Sequence, residues 1–166
     1  MLFNNSIMII AELSANHNQD KNLALETIKA AKKNGADAIK IQTYTADTMT
    51  IDSNAPEFMI NNGSPWDGKN YYELYQQAYT PWEWHQELKE FAESLGLIFF
   101  STPFDLTAVD FLEELNVPMY KIASFEITDI PLIAHIAKKN KPIIMSTGIA
   151  SEEDIDLAIE TIRKHS

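Results

Sequence analysis

One recurrence constrains this chain more than any other feature. Five times, a short apolar run is followed by a segment whose apolar residues fall at helical spacing. The runs are IMIIAE (7–12), ADAIKIQTY (36–44), LIFFST (97–102), PMYKIA (118–123) and PIIMST (142–147). Short continuous apolar runs read as strands buried on both faces. Strands that alternate with helices predict a parallel α/β sheet with right-handed crossovers. The helix starts are marked. Asn18 or Asp20 can cap a first helix with Leu23, Ala24, Thr27, Ile28 and Ala31 on one face, stopped at Asn34-Gly35. Thr80-Pro81-Trp82-Glu83 reads as a capping box with proline at the first helical position, opening a helix to about Ser94. Asp105, Asp129 and Ser151 stand before the remaining three helices.

Residues 43–79 interrupt this rhythm. A structureless loop of that length is unusual in a compact domain, so residues 70–79, NYYELYQQAY, are read as a short helix within it. The segment carries Trp66, Tyr71, Tyr72, Tyr75 and Tyr79, as either a packed flap or a lid that shapes a ligand pocket.

Composition excludes several functions. The 166 residues suit one domain, and the absence of cysteine removes disulfides, thiolate catalysis and Cys-ligated metals. The net charge is −11 and the only arginine is Arg163, so no basic stripe exists for nucleic acid. No apolar stretch is long enough for a membrane span, and the first residues lack the basic region of a secretory leader. A cytoplasmic location is the expectation.

Parallel α/β sheets bind ligands at the C-terminal ends of their strands. The polar residues there are Glu12, Asn16, His17 and Asn18; Lys40, Gln42 and Thr43; Ser101 and Thr102; Lys121, Ser124 and Glu126; and Ser146, Thr147 and Gly148. Period-2 alternation puts Lys40 and Gln42 on the side of Ala38, away from Ile39 and Ile41, and puts Lys121 on the side of Ala123. A lone strand-end lysine can simply reach solvent over its own stem. Two of them, with the hydroxyl set, favour a small phosphate or carboxylate site. Glu12 and Glu126 can each pair with a lysine, bind a sugar hydroxyl or act as a general base. His17 is read as orienting the first loop; His85, His135 and His165 are read as packing or surface residues. No two histidines have metal-ligand spacing.

The strings IIAELSANHNQD, ADAIKIQTY, FFSTPFD, YKIASFE and IIMSTGIA, in this order, resemble the sialic acid synthase family. The segment PWDGKNYYELYQQAYTPWEWH is most similar to its pseudaminic acid synthase branch. The resemblance implies condensation of phosphoenolpyruvate with an N-acylated amino sugar, here a 2,4-diacetamido-2,4,6-trideoxy hexose, and release of phosphate. It implies a TIM-type (β/α) barrel of eight units with a small antifreeze-like domain. Residues 1–166 would supply the N-terminal part, about five parallel βα units, an incomplete barrel. By motif position, Lys40, Thr102, Lys121, Ser124 and Ser146 would hold phosphoenolpyruvate. Gln42 and Glu12 would lie near the amino sugar, and Glu126 would handle a proton. Glu12, Lys40 and Glu126 are therefore the catalytic candidates. The resemblance also implies a divalent metal, Mn or Mg, with ligands outside this chain. The exposed edges of the first and last strands predict a homo-oligomer. Three alternatives stand beside this reading: an N-acetylneuraminate or legionaminate synthase, another phosphoenolpyruvate-using aldolase, and a non-catalytic phosphoenolpyruvate- or sugar-binding module.

Overall fold

Alternating side chains divide each strand between two environments, and here both are apolar for most of the strand's length. The computed structural model describes residues 7–166. Strands β1 (Ile10–Glu12), β2 (Ala38–Thr43), β3 (Ile98–Pro103), β4 (Tyr120–Ile122) and β5 (Ile143–Met145) form one parallel sheet. Their spatial order is their chain order, and every neighbour pair is parallel.

Seven α-helices are present among the described residues: α1 (Lys21–Lys33), α2 (Ala46–Met49), α3 (Tyr71–Ala78), α4 (His85–Ser94), α5 (Leu106–Glu114), α6 (Ile130–Ala137) and α7 (Glu152–His165). In a doubly wound sheet the strand order reverses and helices cover both faces. Here the order never reverses. Ile39, Ile41, Phe99, Tyr120 and Ile122 pack against α1, α4, α5 and α6 in one large core. The opposite face holds a separate cluster of Ala38, Phe100 and Met119, flanked by Met8, Ile10, Ile98 and Ile144. A sheet with its helices on one side curls around the other, so the fold is a half-barrel of five βα units.

The caps follow the sequence signals at four of five positions. Asp20, not Asn18, caps α1, accepting from the Asn22 amide at 2.8 Å. Asp105 and Asp129 cap α5 and α6, and Ser151 with Asp154 forms a reciprocal box on α7. Gly35 follows α1 at φ +89°, a conformation that glycine adopts without strain. Thr80 is the exception. The chain enters α4 through a 3-10 turn, Trp82–Trp84, with no side-chain cap. The Thr80 hydroxyl is instead buried against His17 Nε2 at 3.2 Å, so it is not free to cap. The buried face of α1 is also narrower than the pattern predicts: Ala24 and Ile28 are buried, while Leu23 lies in solvent.

Residues 44–80 are a packed substructure. After α2, a 3-10 turn (Pro56–Phe58) leads to an antiparallel bridge between Met59 and Asn70. Asn70 is buried, caps α3 by accepting from the Glu73 amide at 2.8 Å, and donates to the side-chain oxygens of Asp52 and Asn54. The buried ring of Tyr44 meets Tyr75 and Phe104 edge-on at 5.8 and 5.4 Å. Those contacts seat α3 over the ends of β2 and β3. Among the described residues, no helix is long and apolar enough to cross a membrane.

Candidate functional site

The inner face becomes polar where the strands end. Lys40 lies above Phe100, its register partner on β3, and Glu12 is the register partner of Lys40 on β1. The Lys40 ammonium pairs with the Glu12 carboxylate and donates to Thr102 Oγ1 at 3.5 Å. Two strands away, Lys121 Nζ donates to Ser146 Oγ at 2.7 Å and to the Ile122 carbonyl. Burial disfavours the charged form of an amine. It lowers the pKa of both lysines, and the charge of Lys121 adds to the effect at Lys40, which falls to about 8. Lys40 already pairs with Glu12, and the two half-buried ammonium groups, which repel each other, can be bridged by a further anion.

The hydroxyls beside them have one lone pair engaged and a proton to give. A serine hydroxyl carries one donor and two acceptor positions. Ser146 Oγ accepts from Lys121, and Ser124 Oγ accepts from the Gly148 amide at 3.0 Å. Both O–H groups therefore remain available as donors to an anion. Gly148 permits this approach: a Cβ at that position would lie 2.9 Å from Ser124 Oγ. Gly148→Ala is expected to push Ser124 aside and weaken anion binding by about tenfold, the loss of one charge-assisted hydrogen bond. Titration calorimetry with phosphoenolpyruvate checks this, and an unchanged affinity would exclude the Ser124–Gly148 contact from the site.

Glu126 sits in the 3-10 turn after β4 (Phe125–Thr128). Its Oε2 is buried without a hydrogen-bond partner among the described residues. Burial pushes its pKa up, Asp129 adds to the rise, and a bond from its own backbone and the charge of Lys121 oppose it. A carboxyl so placed holds a proton more readily than a solvent-exposed one. The Tyr75 hydroxyl has a raised pKa from burial and from Tyr71 and Glu126, so α3 brings a phenol into the field of that carboxyl. Gln42 is held from the first loop: Ser14 Oγ donates to its Oε1 at 2.9 Å.

The structure therefore links Glu12, Lys40 and Thr102 in one contact set, and Lys121 and Ser146 in a second. Ser124 is held through Gly148 and Gln42 through Ser14. Glu126 bonds to neither set and is coupled to Lys121 by charge alone. Two strand-end residues belong elsewhere. Thr43 and Ser101 face the helix layer, where their hydroxyls meet at 2.7 Å and Thr43 Oγ1 lies 2.9 Å from His85 Nε2. His85 Nδ1 faces the Pro81 carbonyl at 3.1 Å, so Nδ1 carries the proton and Nε2 accepts from Thr43. Burial lowers the His85 pKa to about 4, and the ring stays neutral. His17 orients the first loop as expected, accepting from the Gln19 amide through Nδ1 at 3.1 Å. Sequence reasoning missed the parts played by Ser14 and by Thr80, for which no local pattern exists.

The donors present do not fit a divalent ion. Among the described residues, no three His, Asp or Glu side chains converge. Both ring nitrogens of His17 and of His85 are engaged within the protein.

Known proteins are similar to this chain in sequence and fold. The chain is 54% identical over 156 residues to a pseudaminic acid synthase of Helicobacter pylori, covering 94% of this chain and 46% of that protein. It is 41% identical to an N,N'-diacetyllegionaminic acid synthase of Legionella pneumophila, covering 95% and 44% of the two chains. The crystal structure of an N-acetylneuraminic acid synthetase from Leptospira borgpetersenii, in complex with citrate, superposes with a TM-score of 0.83 at 32% identity, over 97% of this chain and 51% of that one. The chain thus spans less than half the length of these curated relatives. The NeuB family model matches residues 27–166, and on that match the chain belongs to the NeuB family.

Proposed function

We propose that this chain carries the phosphoenolpyruvate side of a nonulosonic acid synthase of the pseudaminic acid type. The observation that carries the reading is the pair of half-buried ammonium groups, Lys40 and Lys121, each bonded to a hydroxyl at a strand end. In this reading the two lysines take the phosphate and carboxylate of phosphoenolpyruvate, with Thr102, Ser124 and Ser146 as O–H donors. Fixed charges of this kind act without reorganisation during the reaction. C3 of phosphoenolpyruvate forms a bond to the aldehyde carbon of the open-chain amino sugar, and the aldehyde oxygen takes a proton. Water adds at C2, and the resulting intermediate loses inorganic phosphate by C–O cleavage. Glu126 holds or moves the proton of the attacking water or the new hydroxyl. Glu12 and Gln42 are assigned to the amino-sugar side. The Mn or Mg that belongs to the reading would take its ligands from residues outside this chain.

The pseudaminic preference rests on the 54% identity and on the aromatic segment 66–82 over the strand ends. The test is calorimetry with phosphoenolpyruvate, followed by phosphate release with two acceptors, a 2,4-diacetamido-2,4,6-trideoxy hexose and N-acetylmannosamine. The reading expects phosphoenolpyruvate binding, little turnover by this chain alone, and any turnover to favour the diacetamido sugar. Absence of phosphoenolpyruvate binding would overturn it, and preference for N-acetylmannosamine would move it to the neuraminate branch.

A further inference from the structure

Among the described residues, five other than glycine have positive φ, and three of them are asparagines, the residue type that tolerates this region best. The other two, Ser14 and Gln19, lie in the loop after β1. The role of Gln19 is visible in its contacts. Its side-chain amide donates to the carbonyls of Gln77 and Tyr79 and ties this loop to the end of α3. Ser14 sits at φ 48°, inside a turn closed by the Asn16 amide on the Leu13 carbonyl at 3.1 Å. Glycine would occupy that position without strain. Backbone strain at a site persists where the surrounding structure gains from it. The gain visible here is the bond from Ser14 Oγ to Gln42 Oε1.

An amide side chain has a carbonyl end and an NH2 end, and its partners decide which way it points. With Oε1 engaged by Ser14, the two N–H donors of Gln42 Nε2 are left for another partner, on the inner side that alternation gives this residue. Thr102, its register partner on β3, and Lys40, two residues earlier on β2, present donors on the same side.

We infer that Ser14 is a positioning residue, which holds the Gln42 amide so that an acceptor on the ligand, of the class of an acetamido carbonyl or sugar hydroxyl oxygen, is what Gln42 recognises. The identity of that ligand rests on the proposed function; the Ser14–Gln42 coupling does not.

Three variants test it: Ser14→Gly, Ser14→Ala and Gln42→Glu. Gln42→Glu keeps an oxygen for Ser14 and removes the NH2 donors. Sugar affinity is measured by calorimetry with the 2,4-diacetamido hexose in the presence of phosphoenolpyruvate. Each variant is expected to weaken it about 5- to 10-fold, the scale of one hydrogen bond. In Ser14→Gly and Ser14→Ala the phosphoenolpyruvate affinity is expected to stay within about twofold, since Ser14 bonds to none of the groups assigned to that ligand. Ser14→Gly relieves the backbone, so its Tm is expected to hold or rise by up to about 4 °C while sugar affinity falls. A merely structural serine would not separate those two readouts. Unchanged sugar affinity in Ser14→Gly, or wild-type affinity in Gln42→Glu, overturns the inference. The ligand-free chain gives an independent measure, the heteronuclear NOE of the Gln42 side-chain NH2, expected to be rigid in wild type and mobile in Ser14→Gly. If wild type binds no sugar, the assignment of Gln42 to the sugar fails while the phosphoenolpyruvate reading stands, and equal mobility in the two proteins would then overturn the coupling itself.

Discussion

Phosphoenolpyruvate affinity is expected to fall above pH 8, by up to about tenfold per pH unit, and Lys40→Ala is expected to remove that slope along with most of the affinity. The slope follows from Lys40, whose pKa burial and Lys121 lower from 10.5 to about 8. An anion beside the amine favours its charged form, so the complex holds the proton more tightly than the free protein does. Below pH 8 the proton is already present and affinity is flat. Above it, binding must take up a proton from solvent, and each further pH unit costs up to a factor of ten. A second charge-assisted contact is lost with the side chain, so Lys40→Ala is expected to bind about 10- to 100-fold more weakly at pH 7. Calorimetry across pH 7–10, in two buffers of different ionisation enthalpy, reads both the affinity and the proton uptake. A flat profile in wild type would mean that Lys40 does not meet the ligand.

The same group moves folding stability in the other direction. Its folded pKa lies below its unfolded value of 10.5, so between about pH 8 and 10.5 the unfolded chain binds more protons. Stability from this group therefore rises with pH across that window, and the rise should be missing in Lys40→Ala. Ligand affinity and intrinsic stability thus run in opposite directions over one pH range.

Phe100→Ala is expected to lower the unfolding free energy by about 3–5 kcal/mol, the usual cost of emptying a buried phenylalanine site. Phe100 is fully buried on the inner face, packed with Ala38 and Met119 directly across from Lys40. Among the described residues the inner cluster has three fully buried members, so few fully packed neighbours can collapse into the space. Urea titration should show a lower midpoint with an unchanged slope. The cavity would open toward the lysines and admit water beneath them. Less desolvation of Lys40 should then move the onset of the affinity loss to higher pH, which ties the two experiments together.

Much of this arrangement was legible in the sequence because it follows from local rules. Five apolar runs became five parallel strands, and alternation alone put Lys40 and Gln42 opposite Ile39 and Ile41. Asp20, Asp105, Asp129 and Ser151 act at the helix starts for the reason their side chains predict. Other features depend on partners remote in sequence. Thr43 and Ser101 look like site hydroxyls, yet one step of alternation turns them to the helix layer, where His85 pairs with Thr43 and Ser101 donates to the Ile41 carbonyl. Thr80 satisfies every local criterion for a cap and is diverted by His17, 63 residues earlier. No propensity scale places a serine at positive φ, so Ser14 shows its part only in three dimensions. The nearness of Tyr75 to Glu126 likewise depends on how α3 folds back over the sheet.

The unreversed strand order has a consequence for how the chain is made. Each strand pairs with the one synthesised just before it, and no strand waits for a neighbour from the far end of the sheet. Loop-closure cost grows with the length of chain to be closed, and every docking step here closes only the chain between consecutive strands, the longest being the β2–β3 connection. Packing order and translation order coincide. The nascent chain can add finished units to a growing edge, with Glu12 and Lys40 already side by side before Lys121 has left the ribosome.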